Sequence, residues 1–293
     1  MDRAQASSTN DPLSECAPLA RQLAPTLCRK DPATGESCAW YHGFWPVVRL
    51  MGFGTGPRHH AEFFRMALQP LAQLAAPRVL VSGAADYSMP AHVLAALGKV
   101  TPQVVVIDRC ETPLALCRWY AGRLGATIET HPADALEYAE PRKYDAVCTH
   151  SFIGQIHPGR RPSLLARWRE LLRPGGLVVT VNRLRPDRGE GWVGFSAAQA
   201  RDFRDAVREK AQSLRATLGA EPEQLVREAE AYAARVGAWP VRSREELAEL
   251  FAHAGFRVEH LAVAMVEPSA GASLSGPTAP GGAAYAQVIA RLA

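Results

Sequence analysis

Long apolar runs are missing from this chain: nowhere do about 18 uninterrupted apolar residues occur, so no transmembrane helix is expected. The polar residues 1–10 lack the apolar stretch of a signal peptide, so export is not expected either and a cytoplasmic location follows. A strong excess of one charge is also missing. The 33 Lys and Arg stand against 29 Asp and Glu, and a dispersed net charge of +4 does not demand a nucleic acid or another polyanion. Arginines do cluster, at Arg160, Arg161, Arg167 and Arg169 and again at Arg183, Arg185 and Arg188, and read as solvated surface beside loops. The six cysteines contain no C-x-x-C pair, and no histidine is read at zinc-ligand spacing beside them; free thiols and no metal are expected. No internal repeat is evident.

What the chain does have is a globular balance, 47% hydrophobic and 21% charged over 293 residues, enough for one sizeable core with helical additions. Residues 1–12 read as a frayed tail, residues 13–29 as a weakly patterned helix, and residues 31–35 as a turn. Trp40, Tyr41, His42, Trp45 and Arg49 then crowd aromatic and ionisable groups into one short stretch. A single helix is predicted over 57–74, with Phe63, Phe64, Met66, Leu68 and Leu71 on its apolar face. These parts, residues 1–75, are expected to form a helical lid.

From Arg78 the rhythm changes to short apolar runs alternating with helices, the pattern of βαβ units and a parallel sheet. Strands are predicted at 79–81, 104–107, 127–130, 146–149 and 177–181, with helices at 90–97, 113–124 and 163–172. A long polar helical stretch, 196–218 and 222–236, forms an insertion at about 190–240 within a domain running over 76–293. It reads as a solvated amphipathic helix pair, with covering of the pocket or pairing with a second subunit as the alternatives, which keeps a homodimer open. Ser243 to Glu246 is a capping box. Strands at 258–266 and 285–292, joined by a Gly-, Ser- and Pro-rich loop over 267–282, predict a terminal antiparallel hairpin.

The chemistry-bearing residues lie at strand ends. Ser82-Gly83-Ala84-Ala85-Asp86 follows the first strand, where small residues let backbone approach a ligand and a helix N-terminus favours polar groups. Asp108 ends the second strand, about 25 residues after Gly83, where a carboxylate can accept from both hydroxyls of a ribose. His150 ends the fourth strand, and an imidazole there can take a proton near neutral pH.

Leu171-Leu172-Arg173-Pro174-Gly175-Gly176-Leu177 resembles the turn before the fifth strand of class I S-adenosylmethionine (SAM)-dependent methyltransferases, and Ala254-Gly255-Phe256-Arg257-Val258 resembles that family's lead into its last hairpin. The resemblance covers residues 78–293. It implies a Rossmann-like α/β fold with a seven-stranded, mostly parallel sheet and an antiparallel C-terminal hairpin, and SAM as cofactor. It also implies site roles. Ser82, Gly83, Ala85 and Asp86 would line the methionine half, Asp108 and Arg109 the ribose, Asp134 and Ala135 the adenine, and His150 the transferring methyl. The sequence departs from the family in having Val81 where an acid is usual and Ala85 in place of a second glycine. No Asn or Asp followed by Pro-Pro and an aromatic occurs after the fourth strand, which argues against amino groups of DNA as acceptors.

Methyl transfer to a small metabolite is the expected function, with Trp40, Tyr41, His42, Trp45, Arg49 and Arg183 binding the acceptor and His150 as base. Asn182, Arg185, Trp192 and Phe195 stand in second rank; His131 and His157 read as structural. Two other readings remain: a nicotinamide-dependent oxidoreductase, which would need a fuller G-x-G-x-x-G, and a catalytically silent SAM-binding partner subunit.

Overall fold

The computed structural model describes residues 11–31, 34–98, 100–266 and 282–293. The tail up to residue 10, the middle of the 31–35 turn and nearly all of the 267–282 loop lie outside them.

Four helices precede the sheet: α1 (Leu13–Leu27), α2 (Ala39–His42), α3 (Trp45–Leu50) and α4 (Ala61–Leu68). The single helix predicted over 57–74 is instead three pieces, with 3-10 turns at Pro57–His60 and Gln69–Gln73 flanking α4. Pro70 ends α4 at Leu68, because it lacks the N–H that would bond four residues back and its ring crowds the preceding turn. Met66 also leaves the predicted apolar face and is exposed, while Phe63, Phe64, Leu68 and Leu71 are buried.

Then come β1 (Arg78–Ser82), α5 (Ser88–Ala96), β2 (Gln103–Asp108), α6 (Glu111–Leu124), β3 (Ile128–Pro132), β4 (Tyr144–His150), α7 (Arg161–Leu171) and β5 (Leu172–Arg183). A two-residue ribbon of β6 (Val193–Gly194) and β7 (Gly237–Ala238) brackets α8 (Ala197–Leu218) and α9 (Pro222–Ala233). The chain ends in α10 (Arg244–His253), β8 (Phe256–Val266) and β9 (Ala283–Leu292). Capping is legible in the sequence. Ser196 accepts from Gln199 N–H at 3.2 Å and Ser243 from Glu246 N–H at 3.1 Å, each satisfying an orphan amide of the first turn.

The main sheet has the order β3-β2-β1-β4-β5-β9-β8. The first five strands are parallel, and β9 runs antiparallel between β5 and β8. This is the Rossmann-like, mostly parallel seven-stranded sheet with the antiparallel C-terminal hairpin expected. Alternating side chains feed two cores. Val79, Val81, Val104, Val106 and Cys148 meet α4, α5 and α6 on one face; Leu80, Val105, Val147 and Val178 meet α7 and α10 on the other.

A third core lies beyond the carboxyl ends of the strands. Phe44, Val47, Val48, Met51 and Phe53 from the N-terminal region pack on Phe203, Val207, Leu225 and Tyr232 of the α8–α9 insertion. Arg21 joins the two with a bidentate pair to Glu228 at 3.1 and 2.7 Å. The lid and the insertion therefore form one cap, whereas α4, placed in the lid by the sequence reading, belongs to the sheet's own helical layer.

Candidate active site

From β3 at the edge the chain crosses back to β4 on the far side of β1, and at this switch in strand order the strand ends meet under the cap, the place where open α/β sheets bind ligands. At the end of β1, Gly83 has φ +80°, and a Cβ there would stand 2.4 Å from the Phe152 ring. Only glycine avoids both the left-handed penalty and that clash. Its N–H donates to the Ile107 carbonyl at 2.9 Å, pinning the first loop to β2.

Asp108 organises the next turn. Ala84 N–H donates to its Oδ2 at 3.1 Å and Cys110 N–H to its Oδ1 at 2.8 Å. Burial raises its pKa, while His42 and the two amides oppose that rise. A carboxylate has about four lone-pair sites, so two remain for hydroxyls of a ligand. Asp134 is held open by Leu136 N–H at 2.9 Å, with the exposed Arg109 3.9 Å away. Gly83, Asp108, Arg109, Asp134 and Ala135 line one cavity of about 340 Å³, closed on its apolar side by Phe152 and Ile156. His157, read as structural, borders it and accepts from Gly159 N–H through its Nδ1 at 3.2 Å.

Two expected cofactor residues are occupied otherwise. The Ser82 hydroxyl is buried and accepts from Trp168 Nε1 at 3.1 Å. Asp86 is buried too; its carboxylate pairs with Arg49 at 2.6 Å and accepts from Ser88 N–H at 2.7 Å. Asp86 thus does not stand in for the acid missing at Val81, and Arg49 is not in the acceptor pocket: each neutralises the other beneath the first loop. Ala85 is half-buried beside them.

A second cavity, of about 330 Å³, holds Trp40, Tyr41, Trp45 and Arg183 together with Asn182 and Arg185. Trp45, Tyr41 and Tyr232 form a parallel stack, with centroids 5.9 and 6.0 Å apart. Trp192 also lines this cavity, whereas Phe195 packs on Phe203 of the third core. The two cavities share Gln155 in their walls. His42, expected here, turns away and places Nδ1 3.7 Å from the Cys28 sulfur.

His150 lines neither cavity. Its ring stacks at 6.0 Å on Tyr285, which lines the second. Its Nε2 is sealed from solvent without a hydrogen-bond partner, as are His60 Nε2, Thr149 Oγ1, Asn182 Oδ1 and Arg185 Nε. Such orphan atoms are costly unless a ligand or water answers them. His60, its ring 5.6 Å from that of His150, was not singled out from the sequence; the His59-His60 pair between glycine and the buried α4 was the available signal. Burial pushes the pKa of His150 well down and that of His60 to about 4.

An imidazole kept neutral by burial binds its proton more weakly folded than unfolded, so acid favours unfolding. The contribution of His60 is complete above pH 6.5 and lost on descending towards pH 4. It amounts to about 3 kcal/mol at the acid end. Guanidinium midpoints measured across that range should fall more steeply for the native chain than for His60→Gln; parallel curves would contradict the assignment.

The strand order, the positive-φ glycine after β1 and the acidic ends of β2 and β3 define a class: a Rossmann-like class I methyltransferase fold. Within it, residues 89–176 match the model of a family described as a methyltransferase domain. No curated protein matches the chain in sequence. Among solved structures the chain is similar to the pyocyanin biosynthetic protein PhzM, at 17% identity and TM-score 0.47, covering 86% of this chain and 58% of that one. It is also similar to the N-methyltransferase NodS from Bradyrhizobium japonicum WM9 in complex with S-adenosyl-l-homocysteine, at 13% identity and TM-score 0.45, covering 80% and 85%. A SAM-dependent methyltransferase from Methanosarcina mazei gives 14% and 0.46, covering 74% and 92%. The chain spans less than two thirds of the length of PhzM.

SAM is the cofactor indicated by the methyltransferase domain, and the first cavity suits it. Asp108 keeps two lone pairs beyond its amide bonds, and Asp134 lines the same cavity. No helix among the described residues is long and apolar enough to cross a membrane.

Proposed function

We propose that this chain transfers a methyl group from SAM to a small anionic acceptor with a flat, apolar body. The observation that carries this reading is the pairing of Arg183 and Arg185 inside the aromatic second cavity. Burial lowers the pKa of both, that of Arg185 to about 10, and Arg183 adds to the effect on Arg185. Two like-charged, half-buried guanidinium groups close together in one cavity repel each other, and an acceptor carboxylate between them offsets that repulsion with charge-assisted, bidentate hydrogen bonds. The Trp45–Tyr41–Tyr232 stack supplies an apolar wall for the rest of the acceptor.

When bound, SAM supplies a methyl made electrophilic by its sulfonium. The chain's residues align and dry the site. Asp108 and Asp134 fix the adenosyl end, while the cap aromatics exclude water from the path between the two cavities. His150, the base expected from the sequence, lines neither cavity; its ring backs Tyr285 in the wall of the second, so its part is to position that wall rather than to take the acceptor's proton. The shared wall at Gln155 is where the two ligands meet.

The nicotinamide reading loses support from β9. A dinucleotide-binding sheet of order 3-2-1-4-5-6 continues in parallel past the fifth strand, whereas here an antiparallel strand is inserted. A silent SAM-binding subunit is separated by turnover. With methyl-labelled SAM, transfer is expected to aromatic carboxylates and not to the matching amides. Arg185→Met should raise KM about 10-fold or more with kcat little changed. Equal transfer to neutral analogues would refute the anionic acceptor, and cofactor binding without any product would favour the silent subunit.

A further inference from the structure

Beside the cofactor crevice, a group of side chains has no part in the chemistry above. Cys28 follows the last residue of α1, Cys38 precedes α2 and His42 is its last residue, and Cys110 caps the N-terminus of α6, two residues after Asp108. Their sulfur and imidazole nitrogen atoms all lie within 4.8 Å of one another. Cys28 and Cys110 sulfurs are 3.5 Å apart, Cys38 and Cys110 sulfurs 3.6 Å, and Cys28 sulfur and His42 Nδ1 3.7 Å.

We infer that Cys28, Cys38, His42 and Cys110 form a closed structural site for a single tetrahedral divalent cation of the zinc type. A tetrahedron with zinc–sulfur bonds of about 2.3 Å and a zinc–nitrogen bond of about 2.0 Å has edges of about 3.8 and 3.5 Å; the three separations above lie within about 0.3 Å of these, and the other three are within 4.8 Å. The donor set is soft and borderline, three thiolates and one imidazole, which selects zinc over magnesium or calcium. Four protein donors leave no open position, so the site is structural. Disulfide pairing accounts for the group less well, since three mutually close sulfurs cannot all be paired and the imidazole would be left over.

The surroundings serve a thiolate. The Thr112 hydroxyl lies 3.1 Å from the Cys28 sulfur, placed to donate to it, and Cys110 sits at the positive end of the α6 dipole. Between Cys28 and Cys38 the chain doubles back, with Asp31 N–H donating to Glu36 O at 2.7 Å and a bridge from Lys30 to Ser37. That short hairpin resembles a metal knuckle in its purpose: it brings distant donors to one point. The Cys38-x3-His42 spacing was the sequence signal, and it went unread because the third and fourth donors lie 10 residues before and 72 residues after Cys38. A clip across the 82 residues from Cys28 to Cys110 fastens the cap to the loop that carries Asp108.

The test is metal binding by the reduced full-length protein. One Co²⁺ per chain should give the intense visible bands of tetrahedral, thiolate-rich cobalt, and Zn²⁺ should displace it with a dissociation constant at or below about 1 nM. Cys38→Ala and His42→Ala should weaken binding at least about 100-fold, while Cys148→Ala, in β4, leaves it unchanged. Because a variant can fail to fold, a second measurement uses the unaltered chain: Zn²⁺ should protect Cys28, Cys38 and Cys110, as a set, from alkylation in the folded protein. Absent cobalt bands in fully reduced protein, or protection of any other set of thiols, overturns the inference.

Discussion

Asp108→Ala is expected to weaken binding of S-adenosylhomocysteine at least about 100-fold by calorimetry. Two backbone amides, of Ala84 and Cys110, lose a half-buried charged acceptor. The ribose hydroxyls lose the same acceptor. Hydrogen bonds to a charged group are worth about 1.5–3 kcal/mol each, and the loop geometry that presents Gly83 depends on the first of them. Asp134→Ala, whose side chain is a quarter exposed, should cost about tenfold. An unchanged dissociation constant in Asp108→Ala would remove the crevice from the cofactor site, and with it the proposed function.

The second large effect concerns stability. Asp86→Ala should destabilise the chain by about 3–5 kcal/mol in chemical denaturation, because it leaves the Arg49 guanidinium buried and uncompensated. Asp11, 3.3 Å from Arg49 and partly exposed, compensates weakly. Arg49→Met combined with Asp86→Ala should recover most of the loss, since no charge is then stranded. Equal losses in the single and double variants would show that the stranded charge is not the cause. Cofactor affinity retained by the folded Asp86→Ala protein would separate this pair from the cofactor site; a loss matching that of Asp108→Ala would return Asp86 to it.

These residues show where reading the sequence works and where it stops. The strands were legible because buried parallel strands are short unbroken apolar runs, and Val79 to Val81 or Val104 to Ile107 are all buried. Caps at Ser196 and Ser243 were legible because they are satisfied within four residues. Apolar spacing extends one helix over 57–74, while in the chain Pro70, lacking an N–H, ends α4 at Leu68. Asp86, Arg49 and His42 each have the chemistry expected of a site residue. Their partners, 37 residues away for Arg49 and Asp86 and up to 68 for His42 and Cys110, decide which work that chemistry does.

By itself, then, the sequence determined the order of the seven main strands and the helices between them and the strand-end positions of Gly83, Asp108 and His150, which follow from local periodicity and short-range hydrogen bonding, while the place of Asp134 came from the family resemblance. Only the tertiary structure decided that the N-terminal helices and the α8–α9 insertion make one cap, that Arg183 and Arg185 share an aromatic cavity, and that three thiols meet one imidazole. Those outcomes depend on desolvation and charge pairing between segments far apart in the chain, and such energies have no counterpart in the pattern of neighbouring residues.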